Sequence, residues 1–261
     1  MIADAGADRP PVVLLCGGLG LRQRADGDDM PKPLRPLPDG RALLLHVLDY
    51  YRRFDLHEFV LCVGYGADRI RALLAAYFST PEGDLVTGPG WQRFTADGLQ
   101  VTLVDGGPYA EKSDRLLASL PHIGPRPFLL GYGDVLSDLD LDLLLRTHRA
   151  AGGVLTLVAT RVRSPYGELH IDGGTAVTSF VEKPMRSSLI SAGYFMCEPS
   201  LFAMLSPGEP LEDSVLPRLV ARGRVHAVVH DGLWLPFDTY KDFIDASLMI
   251  EENGFPWLTP A

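Results

Sequence analysis

Stretches typical of buried β-strands alternate with helix-like stretches from residue 11 to residue 160. The first strand is predicted at 11–16, where the apolar and β-branched run PVVLLC ends at a Gly-rich turn. Parallel strands must be joined by a crossover, which is usually a helix, so this alternation favours a mostly parallel sheet flanked by helices. The sequence therefore predicts an α/β, Rossmann-like fold. Further strands are predicted at 58–63, 99–105, 127–132 and 154–160, and helices at 42–54, 68–78, 113–120 and 140–151.

The pattern changes after Arg161. Two short strands at 167–171 and 176–181, joined by Asp172-Gly173-Gly174, predict a small added β-hairpin. No linker is long enough to force a division of the chain, so a single domain over 1–261 is expected. Residues 79–98 carry no clear pattern and are expected to form an excursion from the main sheet. The remainder is predicted as a strand at 189–197, helical stretches at 199–205 and 213–222, a strand at 225–229 and a helix at 240–252.

The charge of the chain excludes several classes of function. It has 33 acidic and 24 basic residues, a net charge of -9 and no long basic run, so a nucleic-acid partner is not expected. No run of about 18 apolar residues occurs, so no membrane span is expected. Residues 1–10 lack the apolar core of a secretory signal. Cys16, Cys62 and Cys197 lie in apolar runs without a CxxC motif, which favours buried thiols in a reducing cytoplasm.

The strongest local motif is the Gly-rich turn that follows the first predicted strand, residues 17–22 (GGLGLR). Such a turn can bring bare backbone N–H groups against phosphate oxygens, because glycine permits both the backbone angles and the close approach. A tight turn without a ligand is the alternative. A dinucleotide fingerprint starting at Gly18 fails at Gln23, and a P-loop match at 106–113 fails at Glu111.

Charged residues stand at several other predicted turns and strand ends. Lys32 lies between Pro31 and Pro33, and a residue before proline is held extended. Asp134 follows the strand predicted at 127–132, at the edge where open α/β sheets bind ligands. The other positions are Glu182-Lys183 after the second hairpin strand and Asp238-Thr239 before the last helix. Taken singly, each aspartate could also be a helix or turn cap, and Lys183 a surface lysine.

Taken in order, these motifs resemble the sugar-1-phosphate nucleotidylyltransferases over nearly the whole chain, and most closely the glucose-1-phosphate cytidylyltransferases. The resemblance implies the nucleotidyltransferase and glycosyltransferase-A type of α/β fold. The stretches that carry it are 17–22 (GGLGLR), 31–33 (PKP), 63–66 (VGYG), 101–105 (VTLVD), 132–140 (YGDVLSDLD) and 234–239 (WLPFDT).

The resemblance implies a role for each matching position. The catalytic residues would be Arg22, Lys32 and Lys183. The nucleotide-binding residues would be Leu15, Cys16, Gly17, Gly18, Gly20, Arg22, Lys32, Lys112, Arg115 and Gly133. The sugar-phosphate-binding residues would be Tyr132, Gly167, Glu182, Lys183, Gly193 and Tyr194. Asp134 and Asp238 would hold a magnesium ion, a cation that prefers hard oxygen ligands.

The implied reaction joins an NTP and a sugar 1-phosphate and releases pyrophosphate, with CTP and glucose 1-phosphate as the first choice. Residues 1–160 would form the nucleotide-binding half and 161–261 the sugar-phosphate half of a homo-oligomeric enzyme. Leu21 replaces the family's usual Thr or Ser. Arg115-Leu116 matches the Arg-Leu that ends the family's Gly-rich segment, but the family's Gly pair in that segment and the basic residues after Arg-Leu are missing. UTP, dTTP or GTP with another sugar or heptose phosphate therefore stays open. So does a non-catalytic homologue that binds sugar nucleotides, although Arg22, Lys32 and the two aspartates argue against it.

Overall fold

A computed structural model describes residues 9–18, 30–79 and 83–259 of the chain. Its strands are β1 (Val12–Leu15), β2 (Glu58–Val63), β3 (Asp84–Gly88), β4 (Trp91–Ala96), β5 (Leu99–Asp105), β6 (Phe128–Tyr132), β7 (Val135–Ser137), β8 (Leu155–Arg163), β9 (Glu168–Ile171), β10 (Val177–Val181), β11 (Met185–Cys197), β12 (Val225–His230) and β13 (Trp234–Pro236). The α-helices are α1 (Leu43–Arg52), α2 (Ala67–Tyr77), α3 (Lys112–Ile123), α4 (Leu141–Ala151), α5 (Leu216–Ala221) and α6 (Tyr240–Asn253).

Nine strands form one sheet in the order β12-β8-β11-β6-β1-β2-β5-β4-β3. The pairing pattern makes seven of the nine run in one direction, with β11 and β4 reversed. The predicted α/β fold with a mostly parallel sheet is confirmed. The sheet takes strands from both halves of the chain, because β11 inserts between β6 and β8.

Helices cover both faces of the sheet, because the apolar side chains of β1 point alternately to the two faces and all of them are buried. Val12 and Leu14 belong to one apolar cluster, and Val13 and Leu15 to the other, because successive strand residues point to opposite faces. Helices α1, α2, α4 and α6 contribute buried side chains to the first cluster, and α3 and α5 to the second. Among the described residues, no helix has the length and apolarity that a membrane crossing requires.

The structure departs from the predicted elements where strands are short or exposed. The stretch without a clear pattern contains β3 and β4, which pair with each other and add to β5 at the sheet edge. The predicted hairpin is present as β9 and β10, and β11 begins four residues earlier than the predicted strand. The helical stretch at 199–205 is a 3-10 helix, and that at 213–222 begins with a π turn at Leu211–Val215.

The parallel strands β1, β2, β5 and β6 end at the same edge of the sheet. Four loops therefore meet there: 16–18, 64–66, 106–111 and 133–134. The short antiparallel pair of β7 and β13, absent from the sequence prediction, brings the 234–238 segment beside the end of β6. This edge carries the main cleft of the molecule.

Candidate active site

The cleft at the carboxyl edge of the sheet has a volume of about 680 Å³. It brings together residues that are far apart in sequence and that the sequence motifs had singled out. The predicted site residues that line it are Leu15, Gly17, Gly18, Lys112, Arg115, Tyr132, Asp134, Gly193 and Asp238.

Lys32 lies between the two aspartates that were predicted to hold a metal. Its Nζ is 2.8 Å from Asp238 Oδ1 and 3.4 Å from Asp134 Oδ2. The lysine begins a short 3-10 turn, Lys32–Leu34, in which Pro33 is buried, so the extended backbone that was expected at Lys32 is wrong. Its side chain is 16% exposed, that of Asp134 27% and that of Asp238 57%. One ammonium group thus compensates two carboxylates that line the cleft.

The electrostatics of this group are set mainly by burial. Burial raises the pKa of Asp134, Lys32 lowers it and the Asp238 carboxylate raises it again, so that it stands above its ordinary value of 3.8. A carboxylate that is both desolvated and close to a second carboxylate needs a cation beside it to stay ionised. In the free chain Lys32 supplies that cation.

The two carboxylates also fit a magnesium ion. Both contact one point, the Lys32 ammonium, so a single cation can reach an oxygen of each. Among the described residues, no group of three or more His, Cys, Asp or Glu side chains is arranged to hold a metal. The pair of carboxylates, Asp134 and Asp238, suits magnesium, which is commonly bound by one or two carboxylates while substrate phosphates and water complete its coordination.

The glycine turn after β1 packs directly on Arg115. A side chain at Gly17 would overlap the Arg115 guanidinium, and one at Gly64 would lie 2.9 Å from its Nη2. The guanidinium donates to the carbonyl oxygens of Gly107 at 3.3 Å and Pro108 at 3.4 Å. Burial lowers the pKa of Arg115. A buried guanidinium therefore lies against the turn, and a side chain at position 17 would have to displace it.

Gly18 and Cys16 differ in their access to the cleft. A Cβ at Gly18 would meet nothing within 4 Å, so a ligand can approach its backbone closely. Cys16 is 5% exposed, and its Sγ occupies the space that a side chain at Gly133 would need. Burial raises the pKa of the Cys16 thiol, which stays protonated. The structure thus uses Cys16 and Gly133 to pack β1 against the end of β6.

Glu212, which the sequence analysis did not identify, holds two of the predicted site residues. It accepts a hydrogen bond from Tyr132 Oη at 2.6 Å and forms an ion pair with Lys112. The Lys112 ammonium also lies 4.9 Å from the centre of the Tyr132 ring. Although burial acts to raise it, the pKa of Glu212 is lowered by the hydrogen bonds from Lys112 and Tyr132. This network fixes the wall of the cleft between α3 and the end of β6.

Strand β11 also lines the cleft around Gly193, where its pairing register with β8 shifts. Gly193 has φ +80°, and a Cβ there would lie 2.7 Å from Tyr132 Cδ2. Trp234 Nε1 donates a hydrogen bond to the carbonyl oxygen of Ala192 at 2.8 Å, which connects β13 to this part of β11. Tyr194 does not line the cleft. It is 2% exposed and donates through Oη to the carbonyl oxygen of Val135, in the core rather than in the cleft.

Three of the predicted sugar-phosphate residues lie at the open end of the β9–β10 hairpin, directly before β9 or after β10, and outside the cleft lining. Gly167 packs beneath Phe180, whose ring would collide with any side chain there. Lys183 Nζ is 3.8 Å from Glu182 Oε1, and both side chains are exposed. Lys183 adopts φ +47°, a left-handed conformation that is strained for a residue with a side chain. Gly20 and Arg22, which complete the predicted set, lie outside the described residues.

Two further cleft residues were given no role in the sequence analysis. Tyr109 is 85% exposed and lines the cleft within the 106–115 segment that had been noted only for its divergence. Glu111 lines the cleft and caps α3. The signal that could have identified both residues is their position in the loop after the strand at 99–105, at the edge of the sheet where ligands bind.

The fold and this cleft define the class of the protein, an α/β nucleotidyltransferase. The sequence profile of the nucleotidyl transferase family matches residues 117–253. The chain belongs to this family, and within it to the sugar-1-phosphate nucleotidylyltransferases, which are enzymes.

Two curated relatives match almost end to end. A probable glucose-1-phosphate cytidylyltransferase of Bacillus subtilis is 30% identical over 250 residues, which are 94% of this chain and 98% of the relative. The glucose-1-phosphate cytidylyltransferase of Salmonella typhi is 31% identical, over 95% of this chain and 98% of the relative. Among solved structures, HddC from Yersinia pseudotuberculosis superposes with a TM-score of 0.70 at 21% identity, over 93% of this chain and 100% of HddC. That last similarity supports the fold alone.

Proposed function

We propose that this enzyme transfers the nucleotidyl group of an NTP to a sugar 1-phosphate and releases pyrophosphate, with CTP and glucose 1-phosphate as its substrates. The observation that carries the proposal is the position of Lys32 between Asp134 and Asp238 in the cleft. The end-to-end relatives named glucose-1-phosphate cytidylyltransferases support the choice of substrates.

In the proposed reaction, an oxygen of the sugar phosphate attacks the α-phosphorus of the NTP. A new phosphorus–oxygen bond forms, and the bond to the pyrophosphate leaving group breaks. Two anions must come together, so catalysis depends on positioning and charge neutralisation rather than on a nucleophilic side chain. Lys32 and Arg22 would neutralise the triphosphate, and Lys183 the sugar phosphate. Gly17 and Gly18 would admit the nucleotide to the backbone of the turn.

Magnesium is proposed as the cofactor, held by Asp134 and Asp238. When bound, it would neutralise charge on the phosphate oxygens and orient them. Asp134, which is largely buried, would set the position of the cation, and the more exposed Asp238 would close the site from the solvent side. Excluding water from the buried side strengthens these electrostatic contacts.

The nucleotide-binding half is proposed as residues 1–160 and the sugar-phosphate half as 161–261, within a single domain. Support comes from the cleft, where Gly17, Arg115 and Asp134 come from the first half, and Gly193 and Asp238 from the second. The 106–115 segment forms the cleft wall beside the Gly17 turn. Its departure from the cytidylyltransferase pattern makes it the place where a different base would be selected.

We also propose a homo-oligomer. Both strands of the β9–β10 hairpin are exposed along their full length, and an isolated two-stranded ribbon is at best marginally stable in water. Exposed apolar patches of this kind mark interaction surfaces. Light scattering after size exclusion would test the assembly, and a monomer at all concentrations would contradict it. The exposed apolar side chains of the hairpin and the neighbouring part of β11 include Leu169, Ile171, Val177, Phe180, Val181 and Leu189.

A cytoplasmic location is proposed with support from the three cysteines, which are buried and free of disulfides.

Measuring pyrophosphate release with each of four NTPs and a panel of sugar 1-phosphates, with magnesium present, tests the reaction. Turnover with CTP and glucose 1-phosphate is expected to exceed that with every other pair. Preference for UTP, dTTP or GTP would overturn the choice of base, and preference for another sugar phosphate the choice of acceptor. No turnover with any pair would leave a sugar-nucleotide-binding protein and overturn the proposed activity.

A further inference from the structure

We propose that Lys32 occupies the cation position between Asp134 and Asp238 in the free enzyme, so that a divalent cation enters only together with the triphosphate. Lys32 would then act twice, first as the counter-ion of the metal carboxylates and afterwards as a ligand of the phosphates. This proposal rests on the proposed function, since it takes the cleft to bind a metal and a triphosphate.

The first support is the geometry of the three side chains. The ammonium is within 3.4 Å of both carboxylates, although 102 residues separate Lys32 from Asp134 and 206 separate it from Asp238. The two carboxylates therefore converge on a point that the fold has already filled with a positive charge. A metal ion that used one oxygen of each would need that same point.

The second support is burial. The Lys32 side chain is 16% exposed and that of Asp134 27%, so water stabilises the charge of each only in part. Removing the ammonium leaves Asp134 desolvated beside a second carboxylate, and adding a divalent cation while the ammonium stays places like charges together. Both steps are unfavourable alone. They become favourable together when the ammonium has another anion to bind.

The third support is the build of the lysine itself. Pro31 and Pro33 hold its backbone, and Pro33 is buried, so the base of the side chain is fixed. The four-carbon stem above it can still turn, and an ammonium can change partners without the paired geometry that a guanidinium requires. A triphosphate in the cleft offers such a partner. Binding of the metal and of the triphosphate would therefore be positively coupled, and the coupling must be reciprocal.

The test measures the affinity for Mn²⁺ in the absence of any nucleotide. The electron paramagnetic resonance signal of the free ion reports how much Mn²⁺ remains unbound. Wild-type enzyme is expected to bind Mn²⁺ weakly. Lys32→Met is expected to bind it about tenfold more tightly or better, the scale of a typical coupling between sites. In the double variant Lys32→Met/Asp238→Asn the gain is expected to disappear. Lys241→Met, which removes an exposed lysine of α6, is the matched control and should leave the affinity unchanged.

Equal Mn²⁺ affinity in wild type and Lys32→Met would overturn the proposal, as would the absence of binding in both. Neither result would touch the proposed reaction, which pyrophosphate release by the wild-type enzyme tests separately. Circular dichroism shows whether Lys32→Met is folded. If it is not, Lys32→Gln, which removes the charge but keeps a polar end, replaces it with the same expected gain.

Discussion

Replacing Asp238 by asparagine should separate the activity of the cleft from the stability of the fold. The substitution keeps the size of the side chain and removes its negative charge. Asp238 follows β13, and its side chain is 57% exposed. Its contact with Lys32 at 2.8 Å is the one ion pair it forms among the described residues. The expected effect on folding is therefore small, while the expected effect on turnover is large.

The magnitudes follow from exposure and from the neighbouring carboxylate. An ion pair with one exposed partner contributes about 0–1 kcal/mol to the free energy of unfolding, and Lys32 keeps Asp134 as its partner. For a chain of this size, 1 kcal/mol shifts Tm by about 2–4 °C. Losing one main electrostatic contact to the reacting groups typically lowers kcat about 100-fold or more. A 100-fold loss corresponds to about 2.7 kcal/mol of transition-state stabilisation.

Two measurements check the prediction: kcat/KM from pyrophosphate release with magnesium, and Tm from circular dichroism. Asp245→Asn is the control, because it removes the same charge from the exposed Lys241–Asp245 pair of α6. Both quantities should stay near wild type in that variant. Near-normal turnover of Asp238→Asn would refute its assignment to the metal site. A fall in Tm as large as that of a core substitution would refute the reasoning from exposure.

Four further substitutions, at three positions, test the cleft and the structure around it. Lys183→Ala and Lys183→Gly should each lower turnover about 100-fold. Because φ is +47° there, the glycine variant should resist urea better than the alanine variant by about 1 kcal/mol, and the reverse order would show that the strain is absent. Tyr132→Phe removes the hydrogen bond to the Glu212 carboxylate and should lower the free energy of unfolding in urea by about 1.5 kcal/mol; no change would mean that the bond does not form. Hydrogen bonds from Arg218 and Ser214 lower the pKa of Glu209 from 4.5 to about 2, so its contribution to stability is present above the unfolded-state pKa and is lost as pH falls. Glu209→Gln should therefore be less stable than wild type near neutrality, with the difference fading between pH 4.5 and about pH 2 in urea titrations; a difference that persists at the acid end would contradict it.

The strands in the centre of the sheet were predictable because burial on both faces makes them continuously apolar. Strands β1, β2, β5 and β6 carry almost unbroken buried runs, so composition alone identifies them. Strand β3 could not be found in this way, because its side chains are exposed and its register comes from pairing with β4. Strands of three residues such as β7 and β13 are too short to carry a periodic signal. They form by pairing with each other.

The site was predictable to the extent that a residue's position at a strand end determines where it lies. Asp134 reaches the cleft by following β6, and Gly17 by following β1. Glu212 could not be predicted, because its role comes from contacts with Lys112 and Tyr132, 100 and 80 residues away. Tyr194 shows that a shared motif does not fix where a side chain lies. It shares a motif with Gly193, but alternation along the strand turns its ring into the core.

The scarcity of lysine gives these contacts a physical meaning. The chain has 24 basic residues, and only Lys32, Lys112, Lys183 and Lys241 are lysines. A guanidinium binds carboxylates through a rigid fork, whereas an ammonium is a point charge that can exchange partners. The Arg115 guanidinium is held in place by hydrogen bonds from Nη2 to two backbone carbonyl oxygens, beside the Gly17 turn. Lys32 contacts two carboxylates in the free chain, and the exchange proposed above requires the second behaviour of it. In a sequence so biased toward arginine, a lysine at that point is what an exchange of anionic partners demands.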